Sequence, residues 1–487
     1  MPGSCNSWVM GRKNLCSLAL ACTTTLFTTG CDEGDGRPEL DGEPTSAGGK
    51  ADGAQQSGTA SHAGALRWNQ MQPVQTQAGG KPMFVSNNPE LVRGLGILAG
   101  VPHPGLSLSG GQRASGAPLA QWEICEPGTT RCVPGSSLPV ADRVIDPQCP
   151  QGGLRDFGVY LAHILPADLG AQRRLSFALH ADDDVTVRVR GLMDTSDWSS
   201  QGVMLTTQKS WIGARIAETF FFGNPPERTI QIPKGQLVTI DTKQAKSLVE
   251  GRFDVETTGG CVYPYTVAHT EAALQALPGN YAPGDVKWPG WFNGQGLGRA
   301  AGVHDGDRLS GSQTVRIRTP NGVQGVGVLS QPESLPALAK HGDSADVLFG
   351  NYGAMYEQTF EIVNETAQCL HVAVEFVSYI DRNSTPGRTP TARFFQQTQS
   401  AGTIPTMFWN GPLQVTTKSG PTLHHAVLNY TPTEAELANP DSAVRSMRHP
   451  LTTVPIPVGE SQVVHVDLPV PGYIVAPAAF TFSARPC

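Results

Sequence analysis

The chain is 487 residues long, with a formal net charge of -7, only 16% charged residues, 55 glycines and 39 prolines. That balance provides no basic field for a phosphate backbone, and no Lys/Arg-rich stripe with interleaved aromatics occurs, so nucleic acid is not expected as a partner. Turn-forming residues at this density disfavour helical bundles and suit many short strands, in a chain long enough for two or three separate cores.

The N-terminal segment carries Arg12 and Lys13, then an apolar stretch from Leu15 to Phe27, then Thr28-Thr29-Gly30 before Cys31. This is the layout of a bacterial lipoprotein signal, in which the cysteine is lipidated and becomes the mature N-terminus. Thr28 stands where such signals usually carry leucine, and Ala21-Cys22 offers a competing cut. The alternative is an ordinary cleaved secretion signal, and either reading exports the chain. The apolar run is too short to span a bilayer, which takes ~20 residues. Residues 1–30 are therefore assigned to the signal and Cys31 to lipidation, with the membrane contacted only through the lipid.

Residues 31–66 carry Asp32, Glu33, Asp35, Glu39, Asp41, Glu43 and Asp52 against only Arg37 and Lys50. Such a segment buries too little apolar surface to offset its ordering entropy and reads as an acidic, disordered tether. Order is expected from about Arg67-Trp68, and Asn88-Pro89-Glu90 has the cap, first-turn proline and acid of a short helical turn.

Alternating or β-branched apolar segments then predict strands at Phe157 to Ile164, Arg174 to Leu179, Val185 to Val189, Gln201 to Thr207 and Gly251 to Val255. A second series follows at Gln313 to Ile317, Gly325 to Leu329, Met355 to Val363, Leu370 to Val377 and Ala392 to Phe395. It continues at Leu413 to Thr417, His424 to Asn429, Val463 to Leu468 and Ala478 to Ser483. Short helical turns are expected at Glu271 to Leu277, Glu333 to Lys340 and Thr433 to Ala438. One echo stands out. Ile230-Gln231-Ile232-Pro233-Lys234-Gly235 precedes a strand, and so does Val454-Pro455-Ile456-Pro457-Val458-Gly459. The expected fold is all-β, with two tandem β-sandwich (Ig-like) domains and short helical turns: residues 67–290 with an N-terminal extension, then 291–487. The aromatic stretch Trp288, Trp291 and Phe292 falls at that cut. It reads as a junction anchor or, alternatively, as a glycan-binding platform.

Cys5, Cys16 and Cys22 leave with the signal and Cys31 takes the lipid, so Cys125, Cys132, Cys149, Cys261, Cys369 and Cys487 remain. In an oxidising compartment these read as three disulfides, with fifteen possible connectivities. Position narrows them. Cys125 and Cys132 flank a Pro-Gly turn, while Cys369 opens a strand beside which the terminal strand ending at Cys487 would lie. Cys149 and Cys261 then close the first domain.

Pro82-Met83-Phe84-Val85-Ser86-Asn87-Asn88-Pro89-Glu90-Leu91-Val92, with Gly96-Ile97-Leu98 after it, resembles the opening of a group of exported proteins of unknown function common in cyanobacteria. Ile230 to Gly235, Gly298-Arg299-Ala300-Ala301-Gly302-Val303, and Gly350-Asn351-Tyr352-Gly353 leading to Tyr356 follow the same pattern in the same order. The resemblance covers roughly Gly79 to the C-terminus. It implies fold and export but no activity, and neither the cysteines nor the tether belong to its common pattern.

No G-x-S-x-G elbow occurs, and His341-Gly342-Asp343-Ser344 reads as a solvated turn. Asp182-Asp183-Asp184 and His304-Asp305-Gly306-Asp307 cluster carboxylates without the spacing of a known calcium loop. His424-His425 and His465 are the histidines that two strands could bring together, although adjacent residues on a strand face opposite ways. No catalytic residue, metal site or cofactor is expected. The functional expectation is an envelope protein with a structural or binding role, its partner an envelope protein or a glycan. A carbohydrate-binding surface protein is the alternative, and a hydrolase with an unrecognised site is the weaker one.

Overall fold

The computed structural model describes residues 71–91, 96–101, 103, 123–125, 132–134, 145–150, 152–164, 173–197, 206–244, 247–274, 300–328, 334–340, 344–345, 347–380, 407–430, 445–472 and 478–487. All of them lie in the compact unit His62–Cys487. Cys31, the tether, Trp288, Trp291, Phe292, the boundary between residues 290 and 291, Ala392 to Phe395 and Thr433 to Ala438 lie outside the described residues.

The protein is all-β and sandwich-like. An eight-stranded sheet runs, in spatial order, Glu227–Ile232, Val185–Asp197, Ser247–Thr258, Asp156–Ile164, Met83–Leu91, Ala300–His304, Leu335–Lys340, Val347–Leu348. Against it lies a four-stranded sheet of Leu237–Gln244, Arg174–Ala181, Val262–His269 and Gly96–Gly100. The second sandwich has a five-stranded sheet, Gln72–Pro73, Val323–Val328, Ala478–Pro486, Leu370–Ile380, Arg445–Ile456. Its partner sheet has six strands, Gln77–Gly79, Arg308–Ile317, Met355–Asn364, Ser461–Pro469, Met407–Thr417, Gly420–Tyr430. Strands from both sides of residue 290 share the eight-stranded sheet, so sheet membership does not divide at one point in the chain.

Aromatic rings tie each pair of sheets together. Phe177 of the four-stranded sheet meets Phe253 of the eight-stranded one at 5.2 Å. In the second sandwich Phe360 meets Phe480 and Phe482 at 5.4 and 5.1 Å, and Phe376 sits edge-on to Trp409 at 4.9 Å. All of these rings are buried, and Phe177, Phe253, Phe360, Phe376 and Trp409 rank among the largest fully buried side chains of the described residues. Each is worth roughly 1.5–3 kcal/mol of burial, with a further increment for the paired rings.

The two sandwiches repeat one plan. The first five strands of the eight-stranded sheet pair antiparallel, antiparallel, antiparallel, then parallel. The five-stranded sheet, taken from Arg445–Ile456 inward, shows the same sequence of pairings. The Ile-Pro-x-Gly echo occupies the matching place in each: Gly235 (φ 71) and Gly459 (φ 72) take the left-handed conformation that glycine adopts at no steric cost. Gln236 N–H donates to Pro233 O, Glu460 N–H donates to Pro457 O, and both turns carry the chain from one sheet to its partner.

The central strands Met83–Leu91 and Asp156–Ile164 of the eight-stranded sheet are buried on both faces. Phe84, Val159 and Leu161 face the core of the first sandwich. Their neighbours Met83, Val85, Tyr160 and Ala162 join the core of the second. Period-two alternation thus sends one set of apolar residues into each core, which is why these strands read as nearly continuous apolar runs.

Three local expectations differ. Asn88-Pro89-Glu90 lies in the strand Met83–Leu91, at a register shift between Asn88 and Leu91, where a ladder tolerates a residue without an N–H. Residues Leu335–Lys340 form a strand rather than a helical turn, because pairing with Ala300–His304 and burial of Leu335 and Ala339 override local helix propensity. Thr206 and Thr207, expected in a strand, open the helix Thr206–Ala217. Its Ile212 and Ile216 lie one turn apart and pack on Leu248.

Candidate functional site

At one end of the four-stranded sheet, adjacent strands bring four side chains together. His180 is the penultimate residue of Arg174–Ala181, and Asp182 begins the turn after it. Tyr263 stands opposite His180 on the neighbouring strand. His103 follows the next strand, positioned by Val101 N–H donating to Pro264 O at 3.1 Å. His103 Nε2 lies 2.6 Å from Asp182 Oδ1, and His180 Nε2 lies 3.7 Å from the same oxygen. The two imidazoles meet edge to face at 4.9 Å, and the Tyr263 ring lies edge-on to His103 at 4.5 Å. Both histidine side chains are interior, whereas Asp182 is half exposed, so the cluster opens to solvent at the carboxylate.

Burial pushes the His180 pKa down, and the His103 ring pushes it further, against the opposing pull of Asp182. Burial also raises the Tyr263 phenol, with the Asp182 charge beside it acting in the same direction. Below the cluster the Cys149–Cys261 disulfide, with a Cα–Cα separation of 5.9 Å, fixes the entry to the Tyr263 strand. Leu154 and Val262 exchange backbone hydrogen bonds across the same corner. Asp183 and Asp184 point elsewhere: Lys234 N–H donates to Asp184, and the Lys234 ammonium lies 3.5 Å from Asp183.

No family model and no curated protein matches the chain. Among solved structures it is similar to the CUB1-EGF-CUB2 domains of rat MASP-1, at 8% identity over 71% of this chain and 95% of that one, with a TM-score of 0.16. It is also similar to the N-terminal CBM22-1-CBM22-2 tandem domain of Paenibacillus barcinonensis Xyn10C, at 10% identity over 69% and 83%, with a TM-score of 0.11.

A second constellation lies between the two cores. Glu250 and Arg252 share a face of the strand Ser247–Thr258, and both are buried. Glu250 Oε1 accepts from Gly472 N–H at 3.1 Å and from the Tyr160 hydroxyl at 3.3 Å, while Oε2 has no hydrogen-bond partner among the described residues. Burial pushes the Glu250 carboxyl up to about 8, with the Gly472 and Tyr160 donors opposing. Arg252 instead pairs with Asp307 at 3.0 Å, donates through Nε to Gly353 O at 3.0 Å, and lies over the Phe220 ring at 4.5 Å. It ties the two halves together.

The residues singled out from sequence disperse. Asp307 serves Arg252 and the Lys81 N–H. His304 is buried against Leu335 O, and burial holds its pKa down to about 4. Ser344 accepts from Ala301 N–H and donates to Ala345 O, which leaves its hydroxyl engaged by backbone. His424 meets His449 edge-on, whereas His425 bonds Asn410 and stacks on Trp211 at 5.5 Å. His465 bonds Thr359 and Asp467. Two serine–histidine pairs, Ser86–His163 and Ser176–His269, are both 2.7 Å apart and buried.

Cys369 is bonded to Cys487 with a Cα–Cα separation of 5.5 Å. The strands Glu123–Cys125 and Cys132–Pro134 pair with Cys125 opposite Cys132. The His103, His180 and Asp182 cluster escapes local sequence reading because His103 comes from a different strand, 79 positions before Asp182 in the chain.

Proposed function

We propose that the chain is an exported envelope protein, anchored through lipid on Cys31, whose β-sandwich body has a binding or structural role. The observation that carries this reading is the pair of disulfides, Cys149–Cys261 and Cys369–Cys487, closing separations of 112 and 118 residues. Such bonds form and persist in oxidising compartments. The Arg12-Lys13, Leu15 to Phe27 and Gly30-Cys31 layout supports export on independent grounds. Among the described residues no helix is long and apolar enough to cross a membrane.

The binding role draws support from the edge strand Gly420–Tyr430. Its Leu423 and Val427, on the same face as His425, are each 45% exposed, and Trp211, 52% exposed, lies flat on the His425 ring. Exposed apolar side chains of an edge strand, with an exposed tryptophan from the helix beside it, favour an interaction surface. Fractionation of cells expressing Cys31→Ala tests the anchor. The variant is expected in the soluble exported fraction and the parent protein in the membrane fraction. Equal membrane partitioning of the two would refute it.

A further inference from the structure

We propose that His103, His180 and Asp182 bind a divalent transition-metal ion of the zinc class, with the fourth position open to solvent. The ligand atoms of these three residues all lie within 4.8 Å of one another. Around a tetrahedral ion with ligand bonds of about 2.0–2.2 Å, neighbouring donors stand roughly 3.3–3.6 Å apart. The His180–Asp182 distance of 3.7 Å is already close to this. The His103–Asp182 distance of 2.6 Å requires the carboxylate oxygen to shift by less than about 1 Å to admit the ion. That oxygen belongs to the half-exposed side chain on a turn, whereas both imidazoles are held in the interior. The half-exposed carboxylate is the member with most room to move, and the two imidazole nitrogens, within 4.8 Å of one another, must also close toward that spacing.

The surroundings supply what a metal site needs beyond its donors. The Tyr263 hydroxyl donates to Asp182, and its ring fixes that of His103, so outer contacts orient two of the three ligands. The backbones bearing them are secured by the Cys149–Cys261 disulfide and by the strand pairing of His180 with Tyr263. Two imidazole nitrogens and one carboxylate oxygen suit zinc, copper or nickel. They do not suit calcium, which takes six to eight oxygens. Three protein donors with a solvent-facing gap is the layout of sites that keep a water or an exogenous ligand, since structural zinc sites are closed by four.

The test uses the full mature chain, stripped with a chelator and titrated calorimetrically with zinc chloride, with cobalt absorption as a second readout. One equivalent should bind per chain, and zinc in excess should raise the unfolding midpoint by mass action. Asp182→Asn should weaken zinc at least about tenfold and remove that midpoint shift, while its metal-free midpoint stays that of the parent. His103→Ala and His180→Ala should abolish binding, and His465→Gln should leave it intact. If the interior histidine variants do not fold, the surface variant Asp182→Asn decides alone. Absence of stoichiometric uptake by the folded parent, or titrations of Asp182→Asn that superpose on it, would overturn the proposal.

Discussion

Glu250 lies buried between the two cores with one carboxylate oxygen unpartnered, so replacing it by glutamine should stabilise the protein in a pH-dependent way. Its pKa rises from 4.5 to about 8 because burial disfavours the anion more than Tyr160 and Gly472 favour it. Between these values the folded state holds a proton that the unfolded state has released. Glu250's contribution to stability is therefore most favourable below pH 4.5 and declines as pH rises toward 8. At 1.36 kcal/mol per pH unit the cost reaches about 3 kcal/mol at pH 7 and about 5 kcal/mol above pH 8. Glutamine keeps an oxygen for the Tyr160 and Gly472 donors and carries no charge. In urea unfolding, Glu250→Gln should match the parent near pH 4.5, exceed it by about 3 kcal/mol at pH 7, and gain further at pH 8. The difference between the two proteins cancels the other titrating groups, His304 among them. A gain that does not change between pH 5 and pH 7.5, or a loss at pH 7.5, would refute the reasoning.

Arg252→Ala would leave the buried Asp307 carboxylate with the Lys81 N–H and a half-exposed Arg308 at 4.0 Å, at a cost of about 3–5 kcal/mol in chemical unfolding. Adding Asp307→Asn to it should recover part of that loss, and a double variant no better than the single one would count against the ion pair. Cys487→Ser opens a loop of 118 residues and should cost about 2–5 kcal/mol, read as a lowered midpoint under non-reducing conditions and no change under reducing ones. Gly302→Ala places a methyl group against the Ala339 carbonyl at a φ of +140, so its unfolding midpoint should fall, whereas Gly420→Ala, with nothing near its Cβ, should pay only for its backbone strain.

Much of this fold was legible because alternation along a strand is a local property. Arg174 to Leu179 and Leu370 to Val377 announce themselves by period and composition, and the Ile-Pro-x-Gly echoes announce a turn followed by a strand. Chain position sufficed for Cys149–Cys261 and Cys369–Cys487, since each joins a residue just ahead of a strand to one just after another. What escaped was set by tertiary context. Leu335–Lys340 carries helix-forming residues but is claimed by a sheet edge, and Thr206–Ala217 hides its helical stripe in just Ile212 and Ile216. Of the His103 cluster only Asp182 stood out, within Asp182-Asp183-Asp184, because the site forms only where the strands Arg174–Ala181 and Gly96–Gly100 end near each other. Glu250 and Arg252 gave no sign of being buried, since their partners come from residues 472 and 307.

The most direct test of the account is the covalent state of the protein taken from cell membranes. Mass spectrometry of the unreduced protein should find a mature chain beginning at lipid-modified Cys31, with Cys149 linked to Cys261 and Cys369 linked to Cys487. A chain that retains residues 1–30, or one recovered from the cytoplasm with those four thiols free, would contradict it.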